Sequence, residues 1–251
     1  MELNSYRMKK VIIIPARLAS SRLPNKLLLD LGGKSILQRV YEQCLKVSNV
    51  DNENVFIAVD DQILVDHCKT FTSNTILTSK DHQSGTDRIA EAASKIDFDV
   101  VINVQGDEPF IDPNLISKIA DCFSDNTVQM SSAMCPLTLA EDVQNPNNVK
   151  VITDNNEDAI YFSRLPIPYY RDEAIDPINQ NFHKHIGLYG YTKEFLIAYS
   201  KMKPTTYESA EKLEQLRVLE NGFKIRMVTV DDNTIGIDTL EDYNNAKKLL
   251  K

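Results

Sequence analysis

The unbroken β-branched run Val11-Ile12-Ile13-Ile14 constrains this chain more than any other feature. A strand with one face in water alternates apolar and polar residues, whereas a wholly apolar run belongs to a strand covered on both faces. Helical and extended stretches follow in turn. Ser35 to about Val47 has helical period, with Ser35 and Gln38 as a capping box. Val55 to Val59 is the next strand, and Asp60 or Asp61 can cap the helix after it. Thr75 to Leu77 is a third, short strand, Gly85 to Lys95 a helix, and Asp99 to Val104 a fourth strand. Asp112-Pro113 opens a helix with Asp as N-cap and Pro in first position. This alternation predicts an α/β chain with a mostly parallel sheet flanked by helices. Ligands in such sheets sit at the carboxyl ends of the strands, so chemistry is expected just after Ile14, Leu77 and Val104.

The second half is less regular. Gln129 to Cys135, Val149 to Thr153, Ala159 to Phe162 and Lys184 to Tyr191 read as strands. Tyr207 to Glu220 reads as one amphipathic helix with Leu213, Leu216 and Leu219 on a face. Lys224 to Val230 is a late strand, Thr234 to Ile237 is strand-like, and Thr239 caps a last helix to about Leu250. The middle reads as a β-rich, mixed-sheet inserted lobe, and with no clear linker the 251 residues form one domain with two lobes.

The bulk properties exclude several classes. No apolar run approaches the ~20 residues of a membrane span. The start lacks a secretory stretch; Met1 to Met8 is a polar lead-in, and either methionine could begin translation. A net charge of −8 argues against a general nucleic-acid binder but permits a local cationic pocket. Cys44, Cys68, Cys122 and Cys135 make no CxxC pair and read as buried free thiols of a reducing compartment, which points to the cytoplasm. His67, His82, His183 and His185 form no zinc pattern.

The strongest local pattern follows the first strand: Pro15-Ala16-Arg17, then Arg22, then Leu23-Pro24-Asn25-Lys26. Three cations on one loop, anchored by a rigid strand, suit a triphosphate, which needs fixed positive charge and guanidinium forks. The alternative is a solvated basic loop. Gly32-Gly33-Lys34-Ser35 invites a phosphate-loop reading but fails it, because the required earlier glycine would fall at Leu28; a tight turn is expected instead. A second pattern, Asn103-Val104-Gln105-Gly106-Asp107-Glu108-Pro109, puts a carboxylate on a glycine turn at a strand's end. Asp107 is either a plain turn residue or a ligand for Mg²⁺, which prefers oxygen donors and keeps waters. Asp238 offers a second carboxylate, or belongs to the cap of the last helix. A third pattern, Asp81-His82-Gln83-Ser84-Gly85-Thr86-Asp87-Arg88, fits either a cradle for a flat base or a helix N-cap.

Together, IIPARLASSRLPNK, DHQSGTDR, NVQGDEP, YFSR, HIGLYGY, LEQLRVL and GIDTLED, in this order from about Lys10 to the C-terminus, resemble the 3-deoxy-manno-octulosonate cytidylyltransferases, or CMP-Kdo synthetases. HQSGT, HIGLYGY and LEQLRVL point to that branch rather than to sialic-acid cytidylyltransferases. The resemblance implies a GT-A-like nucleotidyltransferase fold and a homodimer. It implies transfer of CMP from CTP to Kdo with release of pyrophosphate, activating Kdo for lipopolysaccharide biosynthesis; the net charge and the lack of a long apolar run add that neither nucleic acid nor membrane is a partner. By the same resemblance, Arg17, Arg22 and Lys26 embrace the triphosphate and, with Asp107, form the catalytic set. Backbone near Pro15 and Ala16, with Ser84, Gly85 and Arg88, selects cytosine and ribose. Asp107 and Asp238 hold Mg²⁺. Gln105, Arg164, His185, Tyr189, Glu214 and Gln215 line the sugar pocket. Residues 9–128 and 224–251 then form the nucleotide lobe, and 129–223 the sugar-binding and dimerisation lobe. The chain departs from the pattern at Asn25, where glycine is common, and at Tyr169-Tyr170, near which a tryptophan is expected; the chain has none. A cytidylyltransferase for 8-amino-Kdo or a sialic-acid-like sugar is the near rival. A GT-A glycosyltransferase and a non-catalytic nucleotide sensor are the distant ones. The cationic loop and the lack of a DxD-like pair after the fourth strand weigh against the glycosyltransferase, and the retention of Asp107 and Asp238 weighs against the sensor.

Overall fold

The computed structural model describes residues 8–20, 22–82, 85–231 and 236–250. In chain order the parallel half comprises β1 (Lys10–Ala16), α1 (Ile36–Cys44), β2 (Val55–Val59), α2 (Gln62–Cys68), β3 (Thr75–Leu77), α3 (Gly85–Ala93), β4 (Val100–Asn103) and α4 (Pro113–Asp121). Then come β5 (Met130–Pro136), α5 (Ala140–Gln144), β6 (Lys150–Thr153), β7 (Ala159–Ser163), β8 (His183–Thr192) and α6 (Lys193–Tyr199). The chain closes with α7 (Thr206–Glu211), α8 (Leu216–Glu220), β9 (Arg226–Thr229) and α9 (Leu240–Lys248).

β1 is buried on both faces, as its composition requires. Ile12 and Ile14 enter one core with α1 and α4, while Val11 and Ile13 enter a second with α3 and α6. β1 pairs in parallel with β2 and β4, and β3 extends the sheet beyond β2. Two caps form as the sequence predicts: Asp112 accepts from Asn114 N with Pro behind it, and Thr239 caps the last helix, in a capping box with Asp242. At α1 the Ser35 side chain accepts from Gln38 N, but the expected capping box is only half made, because Gln38 Nε2 donates to Glu42 at 3.1 Å. Asp61 caps α2, which frees Asp60 for another task. Gly32 and Gly33 take positive φ and close a tight turn, with Leu31 N donating to Lys34 O at 2.7 Å.

The β-rich middle is mixed, as expected, and joins the parallel half within one sheet of order β3-β2-β1-β4-β8-β5-β9. The ten-residue β8 is the pivot, antiparallel to β4 on one side and to β5 on the other. Among the described residues, the β6–β7 hairpin leaves this path, attached through β6 to β8. The register of β8 against β5 shifts between Ser132 and Ala133: Ser132 faces Tyr189, but Ala133 faces Ile186. Two residues of β8 are bulged there, a device that re-aims side chains.

The helix expected before the last strand is corrected. Tyr207 to Glu220 is not one helix: α7 stops where Lys212 takes the left-handed φ of 55°, and α8 begins at Leu216. Leu213 and Leu216 are both buried, so their helical spacing was a core signal carried through a turn. Thr234 and Ile235, half of the strand-like Thr234–Ile237 segment, lie outside the described residues, and Gly236 and Ile237 are not in a strand. Ile237 N instead donates to Asp107 O at 2.9 Å, docking this segment on the turn after β4.

Candidate active site

A cavity of about 420 Å³ opens at the carboxyl ends of β1 and β4. The strand ends approach closely because residue 106 is glycine: a Cβ there would stand 2.9 Å from Pro15 O. Pro15, Arg17, Arg22 and Lys26 line the cavity from the first loop, Gly85 and Arg88 from α3, and Gln105, Asp107 and Asp238 from the far wall. Ala16 is buried in the sheet and offers only backbone, while Ser84 lies outside the described residues.

Lys26 is the electrostatic centre. Its side chain is 9% exposed, and its Nζ donates to Asp107 Oδ2 at 2.6 Å and to Asp238 Oδ1 at 2.9 Å. Burial alone would lower its pKa, but the two carboxylates outweigh it, and the ammonium is held above its ordinary value. Arg22 reaches Asp238 Oδ2 at 2.9 Å. Two hard carboxylates, 29% and 46% exposed, thus converge on one point at the cavity wall. That donor set suits Mg²⁺, which binds through one or two carboxylates and fills its octahedron with water and phosphate oxygens. The described residues contain no cluster of three His, Cys, Asp or Glu that would suit a metal caged by protein alone. Asn25, the departure from glycine, adopts φ 52° and ψ 29°. Asparagine is the residue that best tolerates that left-handed backbone after glycine, so the turn presenting Lys26 is preserved.

Arg88 is more constrained than a free ligand. It is buried, and donates through Nη2 to Asp60 at 3.1 Å and through Nη1 to Thr78 Oγ1 at 2.7 Å. The same Asp60 accepts from Leu18 N at 3.0 Å, so one carboxylate ties the Arg17 loop to β2 and α3. Asp60 was visible in the sequence only as a possible cap; its site role needs the fold. His82, which also lines the cavity, is held 2.6 Å from Glu91. Burial works against the Glu91 carboxylate, yet Lys95, Ser79 N and His82 hold its pKa down at about 2. This clamp too was missed, because its members lie on a loop and a helix with no shared motif.

The residues expected at the sugar gather beyond Gln105. Gln105 Nε2 lies 3.4 Å from Asn103 Oδ1, Asn103 pairs with Tyr189 across β4 and β8, and the Tyr189 ring lies 5.5 Å from His185. His185 contacts Gln215 at 3.4 Å, and Glu214 faces Thr86 Oγ1 at 3.5 Å. Burial raises the Glu214 pKa. Arg164 stands apart: its Nε donates to Glu211 O at 2.7 Å and its Nη1 to Pro146 O at 3.0 Å, so it abuts the end of α7 rather than the cavity.

Burial, with a smaller push from Lys184, lowers the His185 pKa from 6.5 to about 3. The unfolded chain therefore holds the extra proton between those values, so stability from this group is complete above pH 6.5 and declines as pH falls through the window. The expected slope is up to about 1.4 kcal/mol per pH unit. Burial also lowers His67 and His183. The check is therefore the difference in urea midpoints between wild type and His185→Gln from pH 7 to pH 5, and parallel curves would refute it.

A family model described as Cytidylyltransferase matches residues 11–225. A 3-deoxy-manno-octulosonate cytidylyltransferase of Trichlorobacter lovleyi is 44% identical over 97% of this chain and 99% of its own. One of Francisella tularensis is 46% identical over 95% of this chain and 97% of its own. The solved structure of a CMP:2-keto-3-deoxy-manno-octonic acid synthetase complexed with CTP superposes with a TM-score of 0.91 at 38% identity, covering 96% of this chain and 98% of that one. A 4-diphosphocytidyl-2C-methyl-D-erythritol synthase of Anaerococcus prevotii shares only the fold, at 15% identity and a TM-score of 0.62, over 96% of this chain and 99% of that one. With identity of this level spread from end to end, the chain belongs to the 3-deoxy-manno-octulosonate cytidylyltransferase family.

Proposed function

We propose that this chain transfers CMP from CTP to 3-deoxy-D-manno-octulosonate, releasing pyrophosphate, and so activates Kdo for lipopolysaccharide biosynthesis. The observation that carries this reading, beside family membership, is the meeting of Lys26 and Arg22 with Asp107 and Asp238 on the wall of one cavity. A site with that charge pattern suits a triphosphate brought in with a divalent cation.

Arg17, Arg22 and Lys26 hold the phosphates, and the anomeric hydroxyl of the sugar attacks the α-phosphorus in line as pyrophosphate leaves. Positioning and charge stabilisation carry most of the catalysis in such transfers. Asp107 and Asp238 would hold Mg²⁺, which supplies charge to offset that developing on the phosphate oxygens. Pro15 and Gly85 form the base and ribose wall, and Arg88, locked by Asp60, keeps that wall rigid. Gln105, His185, Tyr189, Glu214 and Gln215 form the sugar pocket. Arg164 is proposed as the partner of the sugar carboxylate through a bidentate pair, which requires it to leave its carbonyl contacts on Pro146 and Glu211.

The working unit is proposed to be a homodimer built on residues 129–223. The exposure of Leu165, Tyr169 and Ile178, at 71%, 85% and 84%, supports an apolar surface there that a second copy covers. A cytoplasmic setting is supported by four free cysteines and by the lack, among the described residues, of any helix long and apolar enough to cross a membrane.

The test is pyrophosphate release with CTP, Mg²⁺ and Kdo, set against ATP, GTP or UTP and against sialic acid or 8-amino-Kdo. Release that requires CTP and Kdo together is expected. Release with CTP and another sugar acid keeps the mechanism and moves the specificity. A folded protein that binds CTP but releases no pyrophosphate with any pair would be a nucleotide sensor.

A further inference from the structure

The bulge that breaks the register of β8 against β5 brings His185 beside Ser132, a fully buried residue with no place in the reaction described above. The Ser132 hydroxyl lies 3.2 Å from Ile186 O and 3.0 Å from His185 Nε2. A carbonyl oxygen can only accept, and a hydroxyl has one proton, so Ser132 donates to Ile186 O. It is left with only lone pairs for His185, so Nε2 must carry the ring proton. Burial keeps the ring neutral, and Nδ1 is then a bare acceptor. Gln215 Nε2 stands 3.4 Å from Nδ1 and donates to it. The opposite amide orientation would set Oε1 against a lone pair. The ring itself is held by the edge contact of Phe162 at 4.9 Å and by Tyr189 at 5.5 Å.

We propose that Ser132 is a positioning residue that sets the tautomer of His185 and, through it, the direction in which Gln215 presents its amide oxygen to a hydroxyl of the sugar acid. The proposal rests on the reading of His185 and Gln215 as part of the sugar pocket. Its logic is a one-way chain of donors running from Gln215 through His185 and Ser132 to the Ile186 carbonyl. The neutral imidazole and the hydroxyl each have a single proton to give, so removing the hydroxyl releases the direction of both bonds before it.

The experiment is ¹⁵N spectroscopy of histidine-labelled full-length protein, with His185 assigned by His185→Gln, combined with kinetics of Ser132→Ala. The expected wild-type spectrum shows one neutral tautomer with the proton on Nε2. Ser132→Ala is expected to lose that single tautomer and to raise KM for the sugar acid on the order of tenfold, the scale of one misdirected hydrogen bond, while KM for CTP and kcat stay within about twofold. A wild-type proton on Nδ1 overturns the proposal, and needs no variant that folds. So does a Ser132→Ala protein that keeps the Nε2 proton. A tautomer lost without any change in the sugar KM overturns the relay if Gln215→Ala raises that KM. If Gln215→Ala leaves it unchanged as well, the failure lies in the placement of the sugar pocket, and the relay to the sugar falls with it.

Discussion

Asp107→Asn is expected to keep the fold and lower turnover on the order of a hundredfold or more. Asparagine has the shape of aspartate, so the turn after β4 and its backbone bond from Ile237 should survive. What is lost is a charge placed in advance at a strand end, where the protein does not have to reorganise during the reaction. Removing such a group typically costs ~3–4 kcal/mol of transition-state stabilisation. The carboxylate also holds Lys26 at 2.6 Å, so the substitution loosens the nearest cation at the same time. Three measurements check this: an unchanged thermal transition, weakened Mn²⁺ binding by calorimetry, and kcat. Near-normal turnover would remove Asp107 from the proposed metal site.

Lys26→Ala is expected to have an effect of similar size for the opposite reason. It withdraws the cation that Asp107 and Asp238 share and leaves those two carboxylates facing each other. Both carboxylates are partly exposed, so the thermal transition should shift only modestly. On the proposed reading the phosphates, by contrast, lose a fixed charge in a confined site. We expect kcat to fall by roughly a hundredfold while KM for Kdo changes by no more than about threefold. A large rise in the sugar KM with kcat preserved would put Lys26 at the sugar instead.

Both predictions draw on residues legible before the fold was known, and the reason is local. The run Val11 to Ile14 and the loop after it carry their meaning in adjacent positions: apolar residues demand cover, and the chain that follows must emerge at a strand's carboxyl end. Helix starts were equally legible, because Ser35, Asp112 and Thr239 bond to amides only two or three residues away. Asn25 shows the same logic, since its left-handed backbone explains why a substitute for glycine is accepted there. The misread helix from Tyr207 to Glu220 marks the limit of periodicity. Leu213, in the turn that follows Lys212, and Leu216, at the start of α8, keep helical spacing without sharing a helix because both are anchored in the same core.

The sequence by itself determined the class of fold, the positions of the strand ends and the identity of the cations on the loop after β1, because each of these depends on neighbours along the chain. Only the tertiary structure decided which groups act together. Lys26 lies 81 positions from Asp107 and 212 from Asp238, Asp60 serves the Arg17 loop rather than the helix beside it, and Ser132 reaches His185 across 53 positions through a bulge. Such pairings are set by sheet order, with β4, β8 and β5 side by side, and sheet order arises from the packing of the whole chain.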